Sequence, residues 1–156
     1  MLFYTLFALA SVVAALPLET PIAPVPLAAP MAPVPAACLG FRLTSPTKTD
    51  QTWTYGQCYT ADWDLGASQV TMISSVNLVD SKTGQVVATN IMNIPGDKGS
   101  TGHFPLLLGD FDAHEGLYFF QVIGETGVAD KTCTLSSVDF YVQIDAHSPL
   151  ETKCPA

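Results

Sequence analysis

Residues 57–64, Gln57-Cys58-Tyr59-Thr60-Ala61-Asp62-Trp63-Asp64, alternate in character: Tyr59, Ala61 and Trp63 fall on one side, Thr60, Asp62 and Asp64 on the other. A side-chain period of two belongs to a strand with one buried face, because successive residues of a strand point to opposite faces. The pattern returns in 136–144 (SSVDFYVQI), where Val138, Phe140, Val142 and Ile144 alternate with Asp139, Tyr141 and Gln143. Five further short runs complete the set: 39–44 (LGFRLT), 70–80 (VTMISSVNLVD, centred on 75–79), 85–94 (QVVATNIMNI), 103–108 (HFPLLL) and 117–123 (LYFFQVI). The last is apolar on both faces and is expected at the centre of a sheet.

Turn chemistry separates these runs. Ser45-Pro46 stops the first, and Ser81-Lys82-Thr83-Gly84 joins the third to the fourth as a hairpin with a four-residue loop. Residues 95–102 (PGDKGSTG) read as a flexible stretch, 109–116 as an acidic loop and 124–130 as a turn. Signals of helical periodicity are nearly absent. Seven short strands in about 105 residues, punctuated by turns, predict an all-β fold, an immunoglobulin/fibronectin III-like β-sandwich. A closed barrel is the second reading.

The chain outside those strands has a different character. Residues 2–15 (LFYTLFALASVVAA) form an uncharged apolar run, and Val13-Ala14-Ala15 supplies the small side chains a signal peptidase needs, so 1–15 read as a signal peptide. The run is short against the ~20 residues of a membrane span. Residues 16–37 hold seven of the twelve prolines. Proline cannot donate to a helix or a sheet ladder, so this segment reads as an extended spacer or propeptide. The β-sandwich domain is then 38–154. With a polar C-terminus (SPLETKCPA) and no further apolar stretch, the exported product is expected to insert in no membrane.

Four cysteines, Cys38, Cys58, Cys133 and Cys154, suit an oxidising compartment and two disulfides. Three pairings are open. If the first strand runs parallel to the last and antiparallel to the second, sandwich topology favours Cys38–Cys133 and Cys58–Cys154. No CxxC pair is present, which argues against a zinc site. Fourteen acidic against six basic residues give a formal charge of −8, which disfavours nucleic acid and anionic lipid as partners.

Candidate chemistry is sparse. Asp110, Asp112 and His114 alternate within the acidic loop and are candidate cation ligands, although the twelve-residue calcium-loop pattern is missing. Asp62 and Asp64 form a carboxylate pair of the kind glycosidases use, but on the polar face of a short strand. His103, His114 and His147 are scattered, and no HExxH, GxSxG or Asn-x-Ser/Thr pattern occurs. Trp53 and Tyr55 lie between two expected strands, open to solvent, and are candidate sugar-stacking residues; Tyr59 and Trp63 fall on the apolar face as core. No catalytic residue and no cofactor is expected.

Ser45-Pro46 and Trp53-Thr54-Tyr55-Gly56-Gln57-Cys58-Tyr59-Thr60-Ala61-Asp62-Trp63 resemble the SP…W-x-x-G-x-x-Y-x-x-x-W opening of the fungal Kre9/Knh1-type domain. The likeness continues in 76–79 (VNLV), 116–122 (GLYFFQV) and 139–142 (DFYV), and spans about 41–144. The resemblance implies an exported fungal immunoglobulin-like module linked to cell-wall β-1,6-glucan assembly. The family's Ser/Thr-rich stalk and anchor signal are not seen here, and the four cysteines are an addition, which favours a freely secreted relative. The expectation is a non-enzymatic, secreted or wall-associated protein that binds a wall polysaccharide or an extracellular protein. A small secreted effector acting on a host or neighbouring organism is the alternative.

Overall fold

A computed structural model of the chain describes residues 34–108, 114–128 and 131–155, all within one compact unit running from Pro33 to Ala156. The expected signal peptide (1–15) and most of the spacer (16–37) lie outside the described residues. Of the spacer's end, Pro35 is extended (φ −56°, ψ 140°) and Ala36–Cys38 form a single 3-10 turn that buries Ala37 and Cys38.

Ten strands follow in chain order: β1 Arg42–Ser45, β2 Thr52–Thr54, β3 Cys58–Tyr59, β4 Asp62–Asp64, β5 Val70–Asp80, β6 Val86–Pro95, β7 Phe104–Pro105, β8 Gly116–Thr126, β9 Thr132–Ser136 and β10 Phe140–Gln143. The large sheet has the order β2-β10-β8-β5-β6, with β9 also paired to β8. Two small sheets, β1-β4 and β3-β7, make up the other layer. The result is an all-β, sandwich-like fold.

The count rises from seven to ten for three local reasons. The run 57–64 keeps its apolar face, with Ala61 and Trp63 buried, but its backbone serves two sheets: β3 pairs with β7 and β4 with β1. The second addition is β9, which lies almost wholly in 132–135, ahead of the expected last run. Ser136 stands opposite Gln121 and Phe140 opposite Tyr118, so three residues (137–139) face two (119–120). That extra residue is a bulge, and it switches the inward parity from odd (Cys133, Leu135) to even (Phe140, Val142). Each strand thus keeps its apolar residues on the core side, while Ile144, expected inward, is exposed. The third addition, β2, joins β10 in parallel, with Val142 beside Trp53.

The stretch expected to be flexible, 95–102, is instead pinned along β4. The Trp63 indole N–H donates to Gly96 O at 2.6 Å, Trp63 N to Gly99 O at 2.9 Å, and Thr101 N to Ala61 O at 2.9 Å. A buried indole needs such an acceptor, and Gly96 supplies it. The hairpin expected over 70–94 forms as β5 and β6, in register from Val79↔Val86 to Met72↔Pro95.

Aromatic rings fill the space between the layers. Trp53 on β2 stacks on Tyr59 of β3 (4.2 Å between centroids, 4° between planes) and on Phe140 of β10 (4.2 Å, 27°). Phe120 of β8 leans on Phe140 and on Phe104 of β7 at 5.1 Å and 5.6 Å. One column of rings therefore bridges the large sheet and the β3-β7 sheet.

Disulfides join Cys38 to Cys133 and Cys58 to Cys154. These are the favoured pairs, though the geometry differs from the argument that led to them: Cys133 sits on β9, beside β8, and not at the start of the final strand. The first bond ties the entry turn to β9. The second ties β3 to the C-terminal tail, which also receives Gln57 Nε2 at Pro149 O and lends Glu151 N to Gly56 O.

Candidate functional site

The expected sugar platform is not on the surface. Trp53 is 7% exposed, and Tyr55 is half-buried against the core. The reason is strand alternation: once Thr52–Thr54 pairs with β10, Thr52 and Thr54 face outward and Trp53 must face inward. Tyr55 continues that edge, donating its amide to Gln143 O at 2.9 Å. The Thr-Trp-Thr pattern was itself a strand signal, two β-branched residues flanking an aromatic one.

Of the candidate cation ligands, Asp110 and Asp112 lie outside the described residues. His114 is described, and its Nε2 lies 3.0 Å from Asp80 Oδ2. Among the described residues no cluster of three or more metal-ligating side chains occurs. Asp80 went unmarked in the sequence, yet it organises this end of the sheet. Its side chain is 5% exposed; Oδ1 accepts from Thr83 N (2.7 Å) and Thr83 Oγ1 (2.9 Å), closing the β5–β6 turn. The Thr83 amide chiefly holds this carboxyl below its ordinary range, with Thr83 Oγ1 and His114 adding and burial opposing. Beneath it Tyr118, fully buried, donates its hydroxyl to His114 O at 2.8 Å. Burial and the neighbouring Asp80 charge push that phenol up. The legible signal was Asp-Ser-Lys-Thr-Gly, an Asx-turn composition at the end of an apolar strand.

The Asp62/Asp64 pair is likewise committed locally. Asp64 takes the Gly66 amide and the Arg42 guanidinium, which together hold it below the ordinary carboxylate range. Asp62 lies 3.5 Å from Thr60 Oγ1.

What the fold does present is the outer face of the large sheet. Residues directly opposite each other in antiparallel strands share a face, so the register defines its rows. Ile91 (β6), Ser75 (β5), Ile123 (β8) and Thr134 (β9) form one row; Thr89, Asn77, Gln121 and Ser136 the next; Val86, Val79 and Phe119 a third; Leu117 and Tyr141 the last. Ile91 is 71% exposed, Leu117 52%, Val86 49% and Tyr141 39%. None of the residues in these rows is charged, in a chain of formal charge −8. At the centre Asn77 donates Nδ2 to Gln121 Oε1 at 3.2 Å, while its buried Oδ1 has no partner. Sequence reading passed over this face because Leu117, Phe119 and Ile123 were assigned to a strand covered on both sides. β8 is central, with β5 along one edge and β9 and β10 along the other, but among the described residues only one of its faces is fully buried, the other being half-buried apart from the exposed Leu117.

No protein-family model matches the chain, and no curated protein matches it by sequence. Among solved structures it resembles the fibronectin(III)-like modules of Clostridium thermocellum CbhA, at 10% identity and a TM-score of 0.39, over 67% of this chain and 46% of that one. The chain thus spans less than half the length of that neighbour.

Proposed function

We propose that this chain is a non-enzymatic, exported binding module, a secreted relative of the fungal Kre9/Knh1-type wall proteins, that engages an extracellular protein through the outer face of its large sheet. The observation that carries this reading is the uncharged face on which Ile91, Leu117 and Val86 stand exposed around a polar row of Thr89, Asn77, Gln121 and Ser136. Exposed apolar surface at such a place marks an interaction site rather than a fold requirement. Its chemistry favours protein over polysaccharide. Sugars are gripped by exposed aromatic planes; among the described residues Tyr141 is the one ring in the exposed set, and Trp53 is engaged in the core.

Export is supported by the two disulfides, which belong to oxidising compartments, and by the apolar leader with its small-residue cleavage site. The catalytic alternatives lack support: Asp64 and Asp80 are held by a turn amide, an arginine and a threonine, and among the described hydrogen bonds no serine, threonine or cysteine side chain meets a histidine ring. The test is a pull-down of the purified protein on insoluble β-glucan, chitin and immobilised wall proteins. Retention on the wall proteins alone, lost in Ile91→Lys/Leu117→Lys, is the expected result. Retention on β-glucan that survives this double substitution would overturn the reading.

A further inference from the structure

We infer that the partner of this face is a second copy of the same chain, packed sheet to sheet as a twofold pair. The inference rests on the protein-binding reading above and names its occupant.

Three observations carry it. The first is area. β5, β6 and β8 are ten or eleven residues long, and β9 and β10 together line β8, so the sheet is four strands wide over that length. At about 3.3 Å per residue and about 4.8 Å per strand, the face measures roughly 33 by 19 Å, on the order of 600 Å² per copy. Two copies bury roughly 1,200 Å², the lower bound of a specific complex, so the pair is weak and reversible.

The second observation is charge. Two copies at −8 repel each other over most of their surface. The rows from Ile91 to Tyr141 hold no charged side chain, while acids stand at the rim in Glu115, Glu125 and Asp139. This face lets two acidic chains meet with like charges kept to the edges. A basic partner would instead be drawn to acidic surface, which this face does not offer.

The third is shape. β5 contributes the low centre of the face, with Ser75, Asn77 and Val79 all under 9% exposed, while Ile91 and Val86 on one side and Leu117 on the other stand clear of it. With the twofold axis between β5 and β8, the β8 ridge of each copy lies over the lower β5 strip of the other and each β6 edge over the other's β9 and β10, so ridges meet lower ground rather than ridges. Packed sheets are a stable arrangement at about 10 Å separation, as in the interior of a sandwich.

Sedimentation velocity of the purified exported protein, from micromolar to sub-millimolar concentration and at low and high salt, tests this. The expected result is a reversible monomer–dimer equilibrium that strengthens with salt, because screening relieves the repulsion between acidic chains. Ile91→Lys and Leu117→Lys should each weaken it at least about tenfold, because each sets an unpaired charge into an apolar contact. Leu39→Lys, also at an exposed leucine but outside the sheet, should leave it unchanged. A monomer under every condition overturns the second-copy inference. If that monomer still captures wall proteins in a manner lost in Ile91→Lys/Leu117→Lys, the proposed function stands and its partner is another protein; if it captures nothing, both fall. A dimer indifferent to both lysines also refutes the inference, placing the contact elsewhere.

Discussion

Trp53→Ala separates a core role from a surface role for the residue that first looked like a ligand platform. In the fold, Trp53 is packed between Tyr59 and Phe140 at 4.2 Å on either side, with Phe120 at 5.5 Å. Truncating a buried tryptophan costs about 3–5 kcal/mol, the sum of lost transfer energy and the cavity that remains. Two stacked partners place this site toward the upper end, since each aromatic pair is worth about 0.5–1.5 kcal/mol beyond burial. A domain of this size loses about 4 °C of melting temperature per kcal/mol, so a fall of roughly 12–20 °C is expected. Thermal unfolding followed by near-ultraviolet circular dichroism reads both the shift and the loss of the stacked-ring signal. Trp53→Phe, which keeps a ring in the column, should lose clearly less. An alanine variant that melts within about 2 °C of the parent would refute the packing argument, since no buried indole can be removed so cheaply.

Two further outcomes follow from the same geometry. The Asp80 carboxyl lies below its ordinary range in the folded chain, first through the Thr83 amide. A depressed folded pKa gives stability that is present above the unfolded value of about 3.9 and lost as pH falls through the folded value. Urea midpoints measured from about pH 6 downward should therefore fall in acid, and Asp80→Asn should flatten part of that fall while lowering stability at neutral pH. The disulfides span 95 and 96 residues. Replacing either pair with serines should cost up to about 4–5 kcal/mol by the chain-entropy estimate, readable as a drop in denaturant midpoint, and opening both should leave the exported domain largely unfolded.

Much of the architecture was legible because alternation is a local property. The inward sets Ala61/Trp63 and Phe140/Val142 can be read from a few residues, and the β5–β6 hairpin announces itself through Ser-Lys-Thr-Gly. What escaped depends on partners distant in sequence. A three-residue strand such as Thr52–Thr54 exists because β10, nearly ninety residues on, lies beside it, and that pairing decides which way Trp53 faces. The bulge at 137–139 shows only in register against β8. It separates β9 from β10, while Ile144 is exposed because β10 ends at Gln143.

The candidate site was less readable than the fold for a related reason. An apolar residue carries the same letter whether its side of the sheet is covered or bare. Leu117 belongs to a run that reads as covered on both faces, and only the sheet order reveals that nothing in the described chain packs over it. Conversely, Trp53 reads as a binding residue because it falls between two expected strands. Asp80 was hidden for another reason, its partners Thr83 and His114 coming from a turn and from the far side of a loop.

The most direct measurement of the account is a backbone-amide chemical-shift map of the exported domain, recorded first as its own concentration is raised and then, in dilute solution, as wall proteins released by glucan digestion are added. The prediction is a contiguous set of shifts on β6, β5, β8 and β10 around Ile91, Asn77, Leu117 and Tyr141, with the Trp53 indole unmoved. Shifts centred instead on Trp53 and Tyr55, or confined to the opposite layer around Asp62 and Asp64, would contradict it.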